Sequence, residues 1–390
     1  MTTPFGAPFR RAGAYLDHNA TAPLKPEVKA AMSQAMDLVG NPSSVHAFGR
    51  SARRAVEEAR AAVAALAGVK PAQVLFTGSG TEANNFALRG FPGRPVLTSA
   101  IEHESVLAAR PDARRFAVTR DGTADLAALA ALLERWPGQP PDQAPDGTAP
   151  ALLSLMLVNN ETGVIQPVAE AARLAHARDA LVHCDAVQAA GRLPLSLPAL
   201  GVDLMTLSAH KLGGPTGVGA LILAEGLEPE ALIRGGGQER RKRAGTENLL
   251  GIVGFGAAAR LALEGLSAAA DLAGLRDRLE REALDAVPQA RVMGAGAPRV
   301  ANTSCLMLPG LAGETQVMTL DLAGVAVSAG SACSSGKVKP SHVLAAMGED
   351  ERAAACAIRV SLGWTSDDAA VDRFLTAWTM MARRNARTDA

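Results

Sequence analysis

Ser208-Ala209-His210-Lys211-Leu212-Gly213-Gly214-Pro215-Thr216-Gly217-Val218-Gly219 places a lysine on a short polar turn between an apolar run and a cluster of glycines. Residues 202–207 before it and 218–224 after it read as two buried strands. A lysine where two interior strands meet is costly unless it is paired or loses its charge. An amine in such a place has a lowered proton affinity and can form a Schiff base with a carbonyl cofactor, pyridoxal phosphate being the usual one. The glycines would let backbone pass close to a ligand. Taken alone, the same stretch also suits a solvated lysine in a glycine-rich hairpin.

The chain has 390 residues, long enough for two domains with separate cores. Its 48% hydrophobic and 20% charged content matches a globular enzyme, not a disordered or fibrous chain. Lys+Arg and Asp+Glu both count 39, so no net field would gather nucleic acid or an anionic membrane, and the few aromatics argue against base-stacking platforms. Cys184, Cys305, Cys333 and Cys356 are widely spaced without a metal-ligand pattern, so no metal is expected and a reducing compartment is. The first residues lack an export-type apolar segment, and no apolar run of about 18 residues occurs. The expectation is a cytoplasmic protein without membrane spans.

Outward from the lysine, strands alternate with helices. Residues 74–77 form an apolar run leading into Gly78-Ser79-Gly80-Thr81-Glu82, and 96–99 lead into Glu102-His103-Glu104-Ser105. Residues 152–158, apolar without alternation, end in Asn159-Asn160-Glu161-Thr162-Gly163, and 181–183 end at Cys184-Asp185. Helices are expected over 26–38, 51–66 and 125–136, with a proline-rich surface insertion at 137–150. The alternation predicts a mostly parallel sheet whose ligands sit at the carboxyl ends of its strands. Thr81, His103, Asn160, Asp185, Ser208, His210 and Lys211 all fall at such ends. The glycine-rich turn opening a helix at Gly80 and Thr81 is a ready anion site, although alone it also reads as a plain N-cap.

GSGTEANN (78–85), EHESV (102–106), NNETG (159–163), HCDAVQ (183–188), SAHKLGGPTGVG (208–219), RAGTEN (243–248), GSACSSG (330–336) and RVSLG (359–363) stand in one order along the chain. Together, over about Tyr15 to Gly363, they resemble the cysteine desulfurases, fold-type I pyridoxal phosphate enzymes of the class V aminotransferase group. The resemblance implies a mostly parallel seven-stranded sheet flanked by helices, in a large domain over 16–258. A smaller α+β domain would comprise 1–15 and 259–390 and carry a mobile loop with the catalytic cysteine.

It also implies roles. Lys211 would bind pyridoxal 5'-phosphate covalently and move protons, Asp185 would pair with the pyridine nitrogen, and His103 would stack on the ring and assist proton transfer. Gln188 would reach the phenolic oxygen, and Thr81, Ser208 and His210 the phosphate, with the N–H groups of Gly80 and Thr81. Thr246 would reach the phosphate from the neighbouring subunit of a homodimer. Arg359, helped by Asn160, would hold the carboxylate of L-cysteine. Cys333, among small flexible residues, would take the sulfur as a persulfide and pass it to an acceptor protein, releasing alanine. The other three cysteines, in apolar surroundings, read as packing residues. The pathway served stays open among iron–sulfur cluster biogenesis, tRNA thiolation and cofactor synthesis.

Two departures qualify this expectation. The chain ends soon after its last expected helix, without the extended tail with which some members dock a scaffold protein, and 137–150 has no assigned role. The basic run Arg240-Arg241-Lys242-Arg243 is placed beside the anionic cofactor and the dimer seam in preference to a nucleic-acid patch. A selenocysteine lyase or a transaminase on the same fold, and a non-catalytic sulfur-relay protein, are the alternatives. A transaminase would not need Cys333, and a binding module could dispense with Lys211 or Cys333.

Overall fold

Short runs of fully buried residues dominate the structure, a computed structural model that describes residues 13–135, 150–330 and 340–388. Cys333 therefore lies outside the described residues, as does nearly all of the proline-rich insertion. Strand β1 (Ala14–Tyr15) stands apart from the strands that follow it. β2 (Val74–Thr77), β3 (Val96–Ser99), β4 (Arg114–Phe116), β5 (Leu152–Ser154), β6 (Leu181–Asp185), β7 (Leu204–Ser208) and β8 (Gly219–Leu223) build a seven-stranded sheet in the order β2-β8-β7-β6-β5-β3-β4. Only β8 runs against its neighbours, so the other six strands point their carboxyl ends the same way. Strands covered on both faces need no alternation, which is why these segments read as continuous apolar runs.

The run 152–158 forms regular strand only over Leu152–Ser154. Its pairing to β6 continues, with Leu155 N donating to His183 O and Leu157 N to Asp185 O at 3.0 and 2.9 Å. On the other side Met156 N donates to the Glu102 carboxyl at 3.0 and 3.1 Å, so a side chain replaces the neighbouring strand. The expected helices occur over Pro26–Ala35, Ala47–Ala67 and Leu126–Glu134. Ala47–Ala67 presents Ala52, Val56, Ala59 and Val63 inward and stops at Gly68, whose φ of +67° is the left-handed region glycine favours. It lies close to helix Leu249–Glu264: a Cβ on Gly256 would stand 2.6 Å from Ala59 Cα.

The remaining strands are β9 (Arg291–Val292), β10 (Thr303–Met307), β11 (Val325–Ala326), β12 (Ser328–Ala329) and β13 (Ala357–Ser361). They form a second, antiparallel sheet, β12-β13-β10-β9, and a parallel pair of β1 with β11. Helices Leu266–Ala286 and Asp368–Thr388 supply this half's own core, around Leu279, Phe374 and the fully buried Trp378. Residues 16–22 link the two halves: Asp17 bridges to Ser361 of β13, while Ala22 N donates to His210 O. Among the described residues no single helix is long and apolar enough to cross a membrane.

Candidate active site

The carboxyl ends of β2, β3, β6 and β7 bring most of the expected site residues to one edge of the sheet. At the end of β2 the chain turns through Gly78-Ser79 into helix Gly80–Arg89, with Ser79 Oγ accepting Glu82 N at 3.1 Å as the N-cap. Glu82 accepts Gly78 N at 2.7 Å and Arg243 Nε at 2.8 Å, anchoring the turn. A Cβ on Gly80 would stand 3.2 Å from both Ser208 Cβ and Val187 Cγ2, so glycine lets the positive end of this helix abut β7. Thr81 is exposed on the first turn, as a ligand-facing hydroxyl requires. His210 contacts Thr21 Oγ1 at 3.3 Å, and burial first, then Lys211, push its imidazole down to about 4, leaving it neutral at pH 7.

Asp185 ends β6, buried between two donors: Val187 N at 3.0 Å and Asn84 Nδ2 at 2.7 Å. Nearby Glu102 is completely buried, accepting Ser99 Oγ and Met156 N. Burial, opposed by those hydrogen bonds and reinforced by Asp185, raises Glu102 to about 8. Glu102 therefore holds its proton at neutral pH beside Asp185. His103 caps the short helix Glu104–Leu107, its Nδ1 lying 2.8 Å from Ser105 Oγ.

Lys211 follows β7 on a single turn of tight helix, and its Nζ donates to Asn19 O and Ala20 O at 2.7 and 2.8 Å. Gln188 donates to the same Asn19 carbonyl at 3.0 Å and accepts from Arg192. Asn19 is thus a hub that sequence reasoning passed over. Its Nδ2 also reaches Asn160 O and Thr303 Oγ1, and its Oδ1 receives Asn302 Nδ2. The available signal was a polar DHNAT turn (17–21) directly after Leu16.

Asn160 and Arg359 are brought together, Arg359 donating to Asn160 O at 3.1 Å. Its other terminal nitrogen pairs with Asp17 Oδ1 at 2.8 Å, and among the described residues its buried Nε has no partner. Thr246 lies exposed on the loop between β8 and helix Leu249–Glu264, with no hydrogen bond to the other site residues among those described. The basic run is absorbed internally at three of its four positions: Arg240 donates to Val74 O, Lys242 pairs with Glu228 and Arg243 with Glu82.

Burial pushes the thiols of Cys184 and Cys305 far up, so neither supplies a thiolate. Cys356, expected as a packing residue, is only partly buried and its thiol donates to Arg352 O at 3.1 Å. Among the described residues no three His, Cys, Asp or Glu side chains gather as metal ligands.

A helix N-terminus beside Ser208, a buried carboxylate at Asp185 and an amine at Lys211 form a donor set that fits pyridoxal phosphate. They offer dipole and N–H groups for a phosphate, an anion for a protonated ring nitrogen and an amine for the aldehyde. The family model for class-V aminotransferases matches residues 14–374. A cysteine desulfurase of Cereibacter sphaeroides is 46% identical, covering 93% of each chain, and one of Klebsiella pneumoniae is 42% identical, covering 92% of this chain and 90% of its own. The solved structure of a NifS-like protein from Rickettsia africae is 34% identical with a TM-score of 0.87, covering 95% of this chain and 99% of that one. The mostly parallel sheet, the donor set and these relatives agree: the chain belongs to the cysteine desulfurases, pyridoxal phosphate enzymes of the class-V aminotransferase family.

Proposed function

We propose that this chain removes sulfur from L-cysteine on the site just described, through the following residues. Pyridoxal phosphate, when bound, supplies an electron sink for the pair left at the substrate's α-carbon. Lys211 holds the cofactor and shuttles protons at that carbon. Its neighbouring acceptors, the carbonyls of Asn19 and Ala20, orient the amine before it engages. Asp185, held in place by its two donors, is the residue that would pair with the ring nitrogen. Gln188 is assigned to the phenolic oxygen, and Gly80, Thr81, Ser208 and His210 to the phosphate. His103 packs on the ring and assists proton movement.

Arg359 and Asn160 bind the substrate carboxylate. Arg359 keeps one terminal nitrogen on Asp17, so the carboxylate takes the remaining donors and the arginine is preoriented by that pair. Cys333 is the sulfur acceptor. The Cβ–S bond of cysteine breaks, an S–S bond forms to Cys333, and a proton from a thiol ends on the methyl group of alanine. The persulfide sulfur then passes to an acceptor protein. The burial of Cys184 and Cys305 supports Cys333 in this role.

A homodimer in which Thr246 completes the partner's phosphate site accounts for an exposed, unanchored Thr246. It also gives cover to Met36, Val39, Val45 and Phe48, all more than half exposed. Reduced thiols at Cys184, Cys305 and Cys356 fit a cytoplasmic setting. The convergence of Lys211, Asp185 and the Gly80 helix start at one sheet edge carries the reading. Its test is purified protein with L-cysteine and a thiol reductant, scored for alanine and sulfide in equal amounts. Peptide mapping after brief exposure without reductant should place the added sulfur on Cys333, and Cys333→Ser should abolish both. Sulfur on another cysteine would refute the assignment.

A further inference from the structure

The amide of Asn84 lies on helix Gly80–Arg89, 1% exposed, between Asp185 and Ser105. Its Nδ2 donates to Asp185 Oδ2 at 2.7 Å and to Ser105 Oγ at 2.8 Å, which uses both of its protons. The opposite orientation of the amide would set Oδ1 against the Asp185 carboxylate, acceptor against acceptor, so the orientation is dictated. Ser105 Oγ, having received one proton, turns its own to His103 Nδ1 at 2.8 Å, and Ser105 N also donates to that nitrogen at 3.1 Å. Two donors aimed at Nδ1 leave it the lone-pair nitrogen and place the ring proton of neutral His103 on Nε2. The Asn84 Oδ1 is buried and has no partner among the described residues. A side chain kept in the interior with half its polar capacity unmet is retained for what its other half does.

Building on the assignment of Asp185 and His103 made above, we propose that Asn84 is a positioning residue that joins these two side chains in one directional hydrogen-bond chain. It holds Asp185 as an acceptor and His103 in its Nε2–H tautomer. The base that moves protons then always presents the same nitrogen, while the same amide fixes Asp185 Oδ2. Ser105 N holds Nδ1 whatever stands at position 84, so changing Asn84 should weaken the tautomer preference of a histidine 19 residues away through Ser105 Oγ alone.

The test is nitrogen NMR of the holoenzyme labelled with 15N at histidine, with His103→Gln identifying the signals, and the same spectra after the cofactor is removed. The wild type should show one His103 tautomer, Nε2–H. Asn84→Leu, which keeps the volume and removes both donors, should raise the Nδ1–H fraction at least about fivefold, as loss of one ordinary hydrogen bond in the chain requires. Ser105→Ala should do the same while leaving the Asp185 contact intact, and Ser105→Thr should restore the wild-type spectrum. If Asn84→Leu does not fold, the Ser105 pair decides alone. An unchanged tautomer in Ser105→Ala, or in a folded Asn84→Leu, overturns the proposal. Failure of the cofactor assignment would appear separately, as borohydride attachment of the cofactor to a lysine other than Lys211, and would leave the tautomer measurement readable.

Discussion

Replacing Glu102 by glutamine should make the protein more stable, increasingly so as pH rises. The carboxyl is completely buried at the end of β3, and burial raises it from 4.5 to about 8. The sign follows from proton counting. Between these values the unfolded chain has released this proton and the folded chain still holds it, so folding takes up a proton and stability falls as pH climbs. Each pH unit inside the window costs up to about 1.4 kcal/mol, so at pH 7 the penalty reaches on the order of 3 kcal/mol. Glutamine keeps the shape, can accept Met156 N through Oε1 and can offer Nε2 to Ser99 Oγ, yet it has no proton to lose. Urea midpoints followed by circular dichroism at pH 5, 6, 7 and 8 should therefore nearly coincide for the two proteins at pH 5. They should diverge toward pH 8, by about 2–4 kcal/mol in favour of Glu102→Gln. Both proteins must be compared in the same cofactor state, so that every other titrating group cancels in the difference. A gap between them that does not change with pH would refute the reasoning, because it would mean that Glu102 ionises alike in both states.

Lys211→Ala should fold but lose the visible absorbance of the protein-bound cofactor, and borohydride reduction of the wild type should attach the cofactor to Lys211 in peptide maps. Mixing Lys211→Ala with Thr246→Ala should restore part of the activity through hybrid dimers with one intact site, read by turnover after proven subunit exchange; no recovery would count against a trans role for Thr246. His183, buried between Ser154 Oγ and Thr206 Oγ1, is pushed by burial to about 4 from 6.5. Protons are then bound preferentially by the unfolded chain below pH 6.5, so its contribution to stability is lost as pH falls toward 4. His183→Gln should flatten that acid limb by up to about 1.4 kcal/mol per pH unit, measured as the slope of the urea midpoint.

The sheet was legible because its strands are buried on both faces, and continuous apolar runs mark such strands wherever they occur. Lys211, Asp185 and Gly80 could be placed at strand ends by their position after those runs. The contacts that orient them were not legible, since they come from parts of the chain remote in sequence. Nothing in RVSLG reveals that Arg359 pairs with Asp17, 342 positions away. Residues 152–158 read as one strand, but nothing local reveals that Glu102 takes the Met156 amide and breaks the ladder on that side. Asn19 and Asn84 were hidden for the same reason: an asparagine's role depends on which amide proton meets which acceptor, and spacing carries no trace of that.

The segment around Asp17 and Asn19 also imposes an order on biosynthesis. It is made well before the residues it docks on: β1 has its strand partner in β11, Asn19 N needs Ser361 Oγ, and His18 reaches Thr365. A nascent chain that has not reached Ser361 can complete the seven-stranded sheet, whose last strand ends at Leu223, but it cannot dock this segment in its final place. Asn19, whose carbonyl receives Lys211 and Gln188, arrives with it. The pocket is therefore assembled in two instalments, and closing so long a loop is the late step. A finished lysine site consequently reports that synthesis has passed Ser361, and chains truncated before it carry an unfinished site into the cell's quality control.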